Sequence, residues 1–256
     1  WEIKPVYADW PGFSPPVSYR EYLDEANRCG VKTCFFMDEA ERHIFTDLDE
    51  GTITYNDIYN FITPYIDHEA FLTYYIMDEP ENHLPENWSR QEFLSEMQQK
   101  LNSFDPDHPT MLINFSPDVF NMYANIPDIL LLDLYPIPEH TLDMVGRYMD
   151  IAATYTPATT PLWTTIQAFH SNTGSDDRAP TAEELRCMTY SAIVHGAKGI
   201  NFFRYAKPEE RGSNGIHTES MWQECITVAG ELSELSPVLL SPESKRLKTV
   251  NVEARQ

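Results

Sequence analysis

The stretches ILLLDLYP at residues 129–136 and GINFFRY at residues 199–205 decide the fold. Each is a short apolar run without the strict in-and-out alternation of a strand that is wet on one face. Strands of a parallel sheet are covered on both faces, so burial demands nearly continuous apolar composition of them. Five further runs of the same kind lie outward from these two: Ile3–Ala8, Val31–Met37, Phe71–Met77, Met111–Phe115 and Leu162–Phe169. Helical patterns separate them. Ser18–Arg28 opens on a serine cap with Tyr19, Tyr22, Leu23 and Ala26 on one face, and Ser89–Ser103 and Thr181–His195 begin with capping-box spacings. Gly196 supplies a helix stop, which makes His195 a structural residue of a last turn. Thr141–Tyr155 and Glu219–Leu235 complete the set.

Strand–helix alternation of this kind predicts an α/β chain with a parallel sheet. Seven strands are one short of a closed eight. The expected architecture is a (β/α)8 TIM-type barrel over residues 1–240 whose first strand precedes Trp1, although the segment from Glu39 to Tyr55 is another place for the missing strand. A doubly wound open sheet is the rival topology. Residues 241–256, with the alternating run TVNVEA, read as a linker and the start of a following β-rich domain. A secreted precursor working in the periplasm or outside the cell is the expectation that goes with these two ends.

Composition narrows the partners. Hydrophobic residues make up 42% of 256, enough for one large core, and no run of eighteen apolar residues could span a membrane. The net charge of −22 excludes a nucleic-acid role, which needs clustered Lys and Arg, but suits a neutral ligand such as a sugar. Four cysteines (Cys29, Cys34, Cys187 and Cys225) form no CxxC pair and read as buried thiols. His83, His140 and His170 share no metal-ligand spacing, and no G-x-G-x-x-G or Walker loop is present, so neither a metal nor a nucleotide cofactor is expected. Oligomeric state leaves no mark in the sequence.

Barrel enzymes carry their working residues at the C-terminal ends of the strands. Those ends deliver Asp78 and Glu79 in YYIMDEP, then Asn114, then Asp133 and Tyr135, then Gln167, and last Arg204. A carboxylate inside LLLDLYP is costly to bury without a partner or a task. Asp133 therefore reads either as a site residue or as a structural ion pair with Arg204. Gln167 and Asn114 read either as ligand contacts or as groups that satisfy the barrel-mouth backbone. Strand alternation would place Asp78 and Glu79 on opposite sides, with Glu79 toward the barrel axis in a setting that favours its protonated form. Tyr135 and Trp222 are candidate platforms for a sugar ring.

YYIMDEPENH, DLYPIP, PLWTTIQAF and TAEELRCMTYSAIVHGAKGINFF resemble, in order and spacing, the clan-A-like (β/α)8-barrel glycoside hydrolases of bacterial polysaccharide utilisation. The similarity runs from about Tyr19 to Leu240. It implies cleavage of O-glycosidic bonds in a poly- or oligosaccharide. The clan's acid/base glutamate follows a short polar residue at the end of the fourth strand, commonly as Asn-Glu-Pro, and Asp78-Glu79-Pro80 is similar. The resemblance therefore implies Glu79 as general acid/base. The clan's nucleophile is a second glutamate ending the seventh strand, where this chain has Gln167. Asp133 could then supply the second carboxylate, with Asp38 and Glu39 as weaker substitutes. Asp78, Asn114, Tyr135, Gln167, Arg204 and Trp222 would contact substrate. The departure at Gln167 also fits a barrel that binds carbohydrate without cleaving it, and a structural barrel within a larger protein is a third reading.

Overall fold

The order of the strands settles the topology. In a computed structural model, which describes residues 18–36, 47–48, 50–83, 90–170, 178–204 and 219–241, six strands form one sheet. They are β1 (Thr33–Phe36), β2 (Phe71–Met77), β3 (Thr110–Asn114), β4 (Ile129–Leu134), β5 (Leu162–Gln167) and β6 (Gly199–Phe203). Each is parallel to the next and they lie side by side in chain order. A doubly wound sheet reverses strand order at its switch point. No reversal occurs here, so the arrangement is that of a (β/α) barrel. The expected strand Ile3–Ala8 and the tail 242–256 lie outside the described residues. Among the described residues no helix is long and apolar enough to cross a membrane.

The helices form where apolar spacing and caps agree. They are α1 (Tyr19–Arg28), α2 (Tyr55–Ile62), α3 (Pro80–His83), α4 (Arg90–Phe104), α5 (Phe120–Tyr123), α6 (Asp143–Tyr155), α7 (Ala182–Val194) and α8 (Glu219–Leu239). Ser18, Thr54 and Thr181 cap α1, α2 and α7 with reciprocal side-chain bonds to Glu21, Asp57 and Glu184. Helix α2 is absent from the sequence reading, whose alternative place for the missing strand, Glu39–Tyr55, ends where this helix begins. The capping spacing Thr54–Asp57 and the buried pair Ile58 and Ile62 were its signals.

Two apolar clusters lie between the sheet and the helices. One joins Leu23, Tyr74, Leu94 and Leu101, the other Leu130, Leu132, Val145 and Leu185. A third, smaller cluster (Tyr75, Met111, Ile113, Ile129 and Leu131) lies on the opposite face of the strands, as in a barrel interior, with Trp163 packed on it. Sheet residues are therefore covered on both faces, which explains why LLLDLY does not alternate. Cys34 is half-buried and Cys225 buried, but Cys29 and Cys187 are exposed, which corrects the reading of all four as buried thiols. Both exposed thiols sit on solvent-facing positions of helices or helix ends, where the periodicity already placed polar neighbours.

Two glycines mark close approaches. Gly146 on α6 leaves room for the His195 ring, whose Nε2 would lie 2.6 Å from an added Cβ, while His195 Nδ1 pairs with Asp150 at 2.8 Å. His195 is thus structural, as its place at the end of α7 suggested. Gly199 starts β6 directly opposite Trp163, and an added Cβ would meet the indole at 2.4 Å. Gly199→Ala is expected to displace Trp163 and to cost about 1–3 kcal/mol through overpacking. A denaturation midpoint and a near-ultraviolet circular dichroism spectrum unchanged from the parent would contradict this contact.

Candidate active site

The C-terminal ends of β2 to β6 point the same way because the strands are parallel. Asp78, Glu79, Asn114, Asp133, Tyr135, Gln167 and Arg204 therefore share one end of the sheet, as expected for a barrel mouth.

At the end of β2 the backbone turns sharply. Glu79 has φ of 40°, the one positive value among the described residues other than glycine. A non-glycine side chain in this left-handed region costs on the order of 1–3 kcal/mol, and such strain gathers at functional sites. The kink also undoes strand alternation. Tyr75, on the inner face, donates to Asp78 Oδ1 at 2.7 Å, and the charges of both Asp78 and Glu79 act on Asp133 and Tyr135. The Glu79 carboxylate accepts from Asn82 Nδ2 at 3.1 Å.

Asp133 occupies the centre. Tyr135 donates its hydroxyl to Asp133 Oδ2 at 2.7 Å, while Oδ1 is sealed from solvent and finds no hydrogen-bond partner. Thr165, its register partner on β5, lies close by without a formed bond. Burial pushes the Asp133 carboxyl well above the usual carboxylate range. The Thr165 and Tyr135 hydroxyls work against that, and the charges of Asp78 and Glu79 add to it. The Tyr135 phenol is likewise pushed up, first by burial and then by Asp133. No ion pair joins Asp133 to Arg204, so the structural-pair alternative does not hold. The Arg204 guanidinium lies 5.5 Å over the Phe203 ring with its Nε buried and unpartnered.

Gln167 is fully buried. Its Oε1 accepts from Ile137 N at 2.9 Å and its Nε2 donates to Ile137 O at 2.8 Å. The amide is thus spent on holding the loop after β4, the second of the two roles the sequence left open. Asn114 is also fully buried and donates to Glu81 Oε2 at 2.8 Å. Above Gln167, Tyr135, Phe169 and Phe203 form an aromatic trio with centroids 5.0 to 6.0 Å apart. Trp222, in the first turn of α8, is half-buried against the outer cluster of that half of the sheet. Asp38 and Glu39 lie outside the described residues. The sequence reading gave no role to Glu81, Thr165 or Phe203. For Glu81 a signal existed, since a second carboxylate two residues past Glu79 on a proline-initiated turn must go somewhere.

A family model described as beta-galactosidase, Glyco_hydro_42, matches residues 83–236. Among curated proteins none matches by sequence. Several solved structures share the fold. A beta-galactosidase from Bacillus circulans sp. alkalophilus superposes with a TM-score of 0.69 at 14% identity, covering 93% of this chain and 52% of its own. A GH42 beta-galactosidase from G. stearothermophilus gives 0.69 at 13% identity, covering 95% and 53%. The beta-galactosidase from the psychrophilic Marinomonas ef1 gives 0.67 at 12%, covering 93% and 56%. The chain thus spans about half the length of these beta-galactosidases. At such identities the superpositions speak for the barrel fold alone. The sequence match covers more than half of the 256 residues, and by it the chain belongs to glycoside hydrolase family 42, the beta-galactosidase family.

Proposed function

We propose that the chain hydrolyses O-glycosidic bonds, with Glu79 as general acid/base and Asp133 as the second carboxylate, and that its substrate carries a terminal β-galactosyl residue. The observation that carries this reading is the cluster at the mouth: a strained Glu79 within electrostatic reach of a half-buried Asp133 whose Oδ1 is sealed from solvent. Two carboxyl groups in different environments are what glycoside cleavage asks for. Glu79 gives its proton to the bridging oxygen as the bond to the anomeric carbon breaks. Asp133, once ionised, either bonds to that carbon or takes a proton from the water that does. Where Asp133 has bonded to the carbon, Glu79 takes a proton from the water that displaces it; where Asp133 has taken that proton itself, exchange with solvent returns both groups to their starting states. The other hydrogen of the water stays on the new anomeric hydroxyl, and the products are the free sugar and the alcohol. Tyr135 steadies Asp133 in the charged form through its hydroxyl. The aromatic trio offers an apolar surface for the pyranose face, with Arg204 beside it.

Gln167 supports a second reading, a barrel that binds carbohydrate without cleaving it. Its amide cannot act as a nucleophile and is already committed to Ile137. A panel of nitrophenyl glycosides and galactose-containing oligosaccharides, with calorimetric binding measured in parallel, separates the two. Turnover of β-galactosides supports hydrolysis. Saturable binding with no turnover supports the binding barrel, and turnover confined to another sugar would overturn the galactosyl assignment.

A further inference from the structure

The left-handed backbone at Glu79 needs something to hold it there, and the residues around it supply a chain of contacts. Helix α3 (Pro80–His83) is a single turn, too short to be stable by its own hydrogen bonds. It is nevertheless tied at both ends. Toward β2, Asn82 donates its backbone N–H to Glu79 O at 2.8 Å and its side-chain amide to the Glu79 carboxylate at 3.1 Å. Toward β3, Glu81 receives three N–H groups: Phe115 N at 2.8 Å and Ser116 N at 3.2 Å on Oε1, and Asn114 Nδ2 at 2.8 Å on Oε2. Asn114, fully buried at the end of β3, makes the anchor rigid. Both Glu81 oxygens are thus engaged by β3, so this carboxylate faces the protein and is not a rival acid.

We propose that Glu81 is a positioning residue: it staples α3 to the end of β3 and thereby holds Glu79 in its strained, left-handed conformation at the mouth. The catalytic consequence rests on the reading of Glu79 as the acid, but the structural one does not. Without the staple, α3 is free to rotate about the 79–80 junction. Residue 79 then relaxes to a negative φ, and its carboxyl leaves the place from which it acts on Asp133.

A stability cycle in the full chain tests this without any assay of activity. Glycine adopts positive φ at no steric cost, so Glu79→Gly should raise the folding constant about fivefold where the strain is present. In a Glu81→Ala background the strain is gone, and the same substitution should lower the folding constant about two- to fivefold through its unfolded-state entropy. An equal gain in both backgrounds overturns the proposal. Should the alanine variant not fold, Glu81→Asp, a methylene too short to reach all three donors, takes its place. Turnover supplies the second arm. Glu81→Ala should slow glycosides with unactivated leaving groups more than tenfold in kcat, with KM and the turnover of nitrophenyl glycosides nearly unmoved. Equal loss on both substrate types overturns the positioning role. Glu81→Gln keeps an acceptor for Phe115 and Ser116 and should stay near the parent in both arms. A Gln variant native in the cycle yet as slow as the Ala variant would mean that Glu81 acts by charge, which also overturns the proposal. If the unmodified protein cleaves no glycoside, the hydrolase reading fails while the stability cycle still decides the staple.

Discussion

Glu79→Gln removes about 10²- to 10⁴-fold of turnover on glycosides whose leaving group is an ordinary sugar hydroxyl, the range that general acid catalysis supplies. An alkoxide leaves poorly without a proton, and an amide has none to give. Nitrophenyl glycosides leave as stabilised phenolates, so the step that breaks the glycosidic bond should suffer much less on them. Fold effects are small for this change. Glu79 is half-buried, its contact from Asn82 can be accepted by an amide oxygen, and the backbone conformation at 79 is the same for Gln as for Glu. Kinetics on a matched pair of substrates, one natural disaccharide and one nitrophenyl glycoside, measure the split. Full activity of the Gln variant on the disaccharide would end the assignment of Glu79 as the acid.

Much of this site was legible in the residues because parallel strands bury both faces. The run LLLDLY could only be such a strand, and a polar residue at its end had to face the mouth. The observed bounds, Ile129–Leu134 for β4 and Phe71–Met77 for β2, match the apolar runs closely. The helix Tyr55–Ile62 was hidden because it is only eight residues long, with three aromatics that also suit strands. The turn at Glu79 was hidden for a different reason. Period-two alternation holds only while φ stays extended, and a left-handed residue before a proline leaves no pattern at neighbouring positions. Gln167 shows a third kind of limit: its place at a strand end was readable, but its commitment to the Ile137 backbone depends on a cross-strand loop thirty residues away.

Asp133→Asn is expected to stabilise the protein at neutral pH while slowing turnover by about 10²- to 10⁴-fold. Burial, reinforced by Asp78 and Glu79, raises the folded-state pKa of Asp133 above that of an unfolded aspartate, about 3.9. Below that value both states hold the proton and burial of the neutral acid carries no ionisation penalty. As pH rises above it, the unfolded chain releases the proton while the folded one keeps it. The unfolded state then binds fewer protons, so stability falls with rising pH. Asparagine is nearly isosteric and cannot ionise, so the variant should gain on the order of 1–3 kcal/mol at pH 7 relative to the parent. The gain should shrink to nothing below about pH 4. Urea unfolding at pH 4 and pH 7 reads the difference, and a gain equal at both would show that ionisation is not its source. The catalytic half follows from the same proton. Asp133 must lose it before it can attack or activate water, so the acidic limb of kcat/KM for the parent should lie well above the ordinary carboxylate range. The Asn variant should lose about 10²- to 10⁴-fold in turnover. If it instead keeps full turnover while Glu79→Gln does not, the second carboxylate is another group. Asp78, bonded to Tyr75 and near enough for its charge to act on Asp133, would then be the next substitution to make.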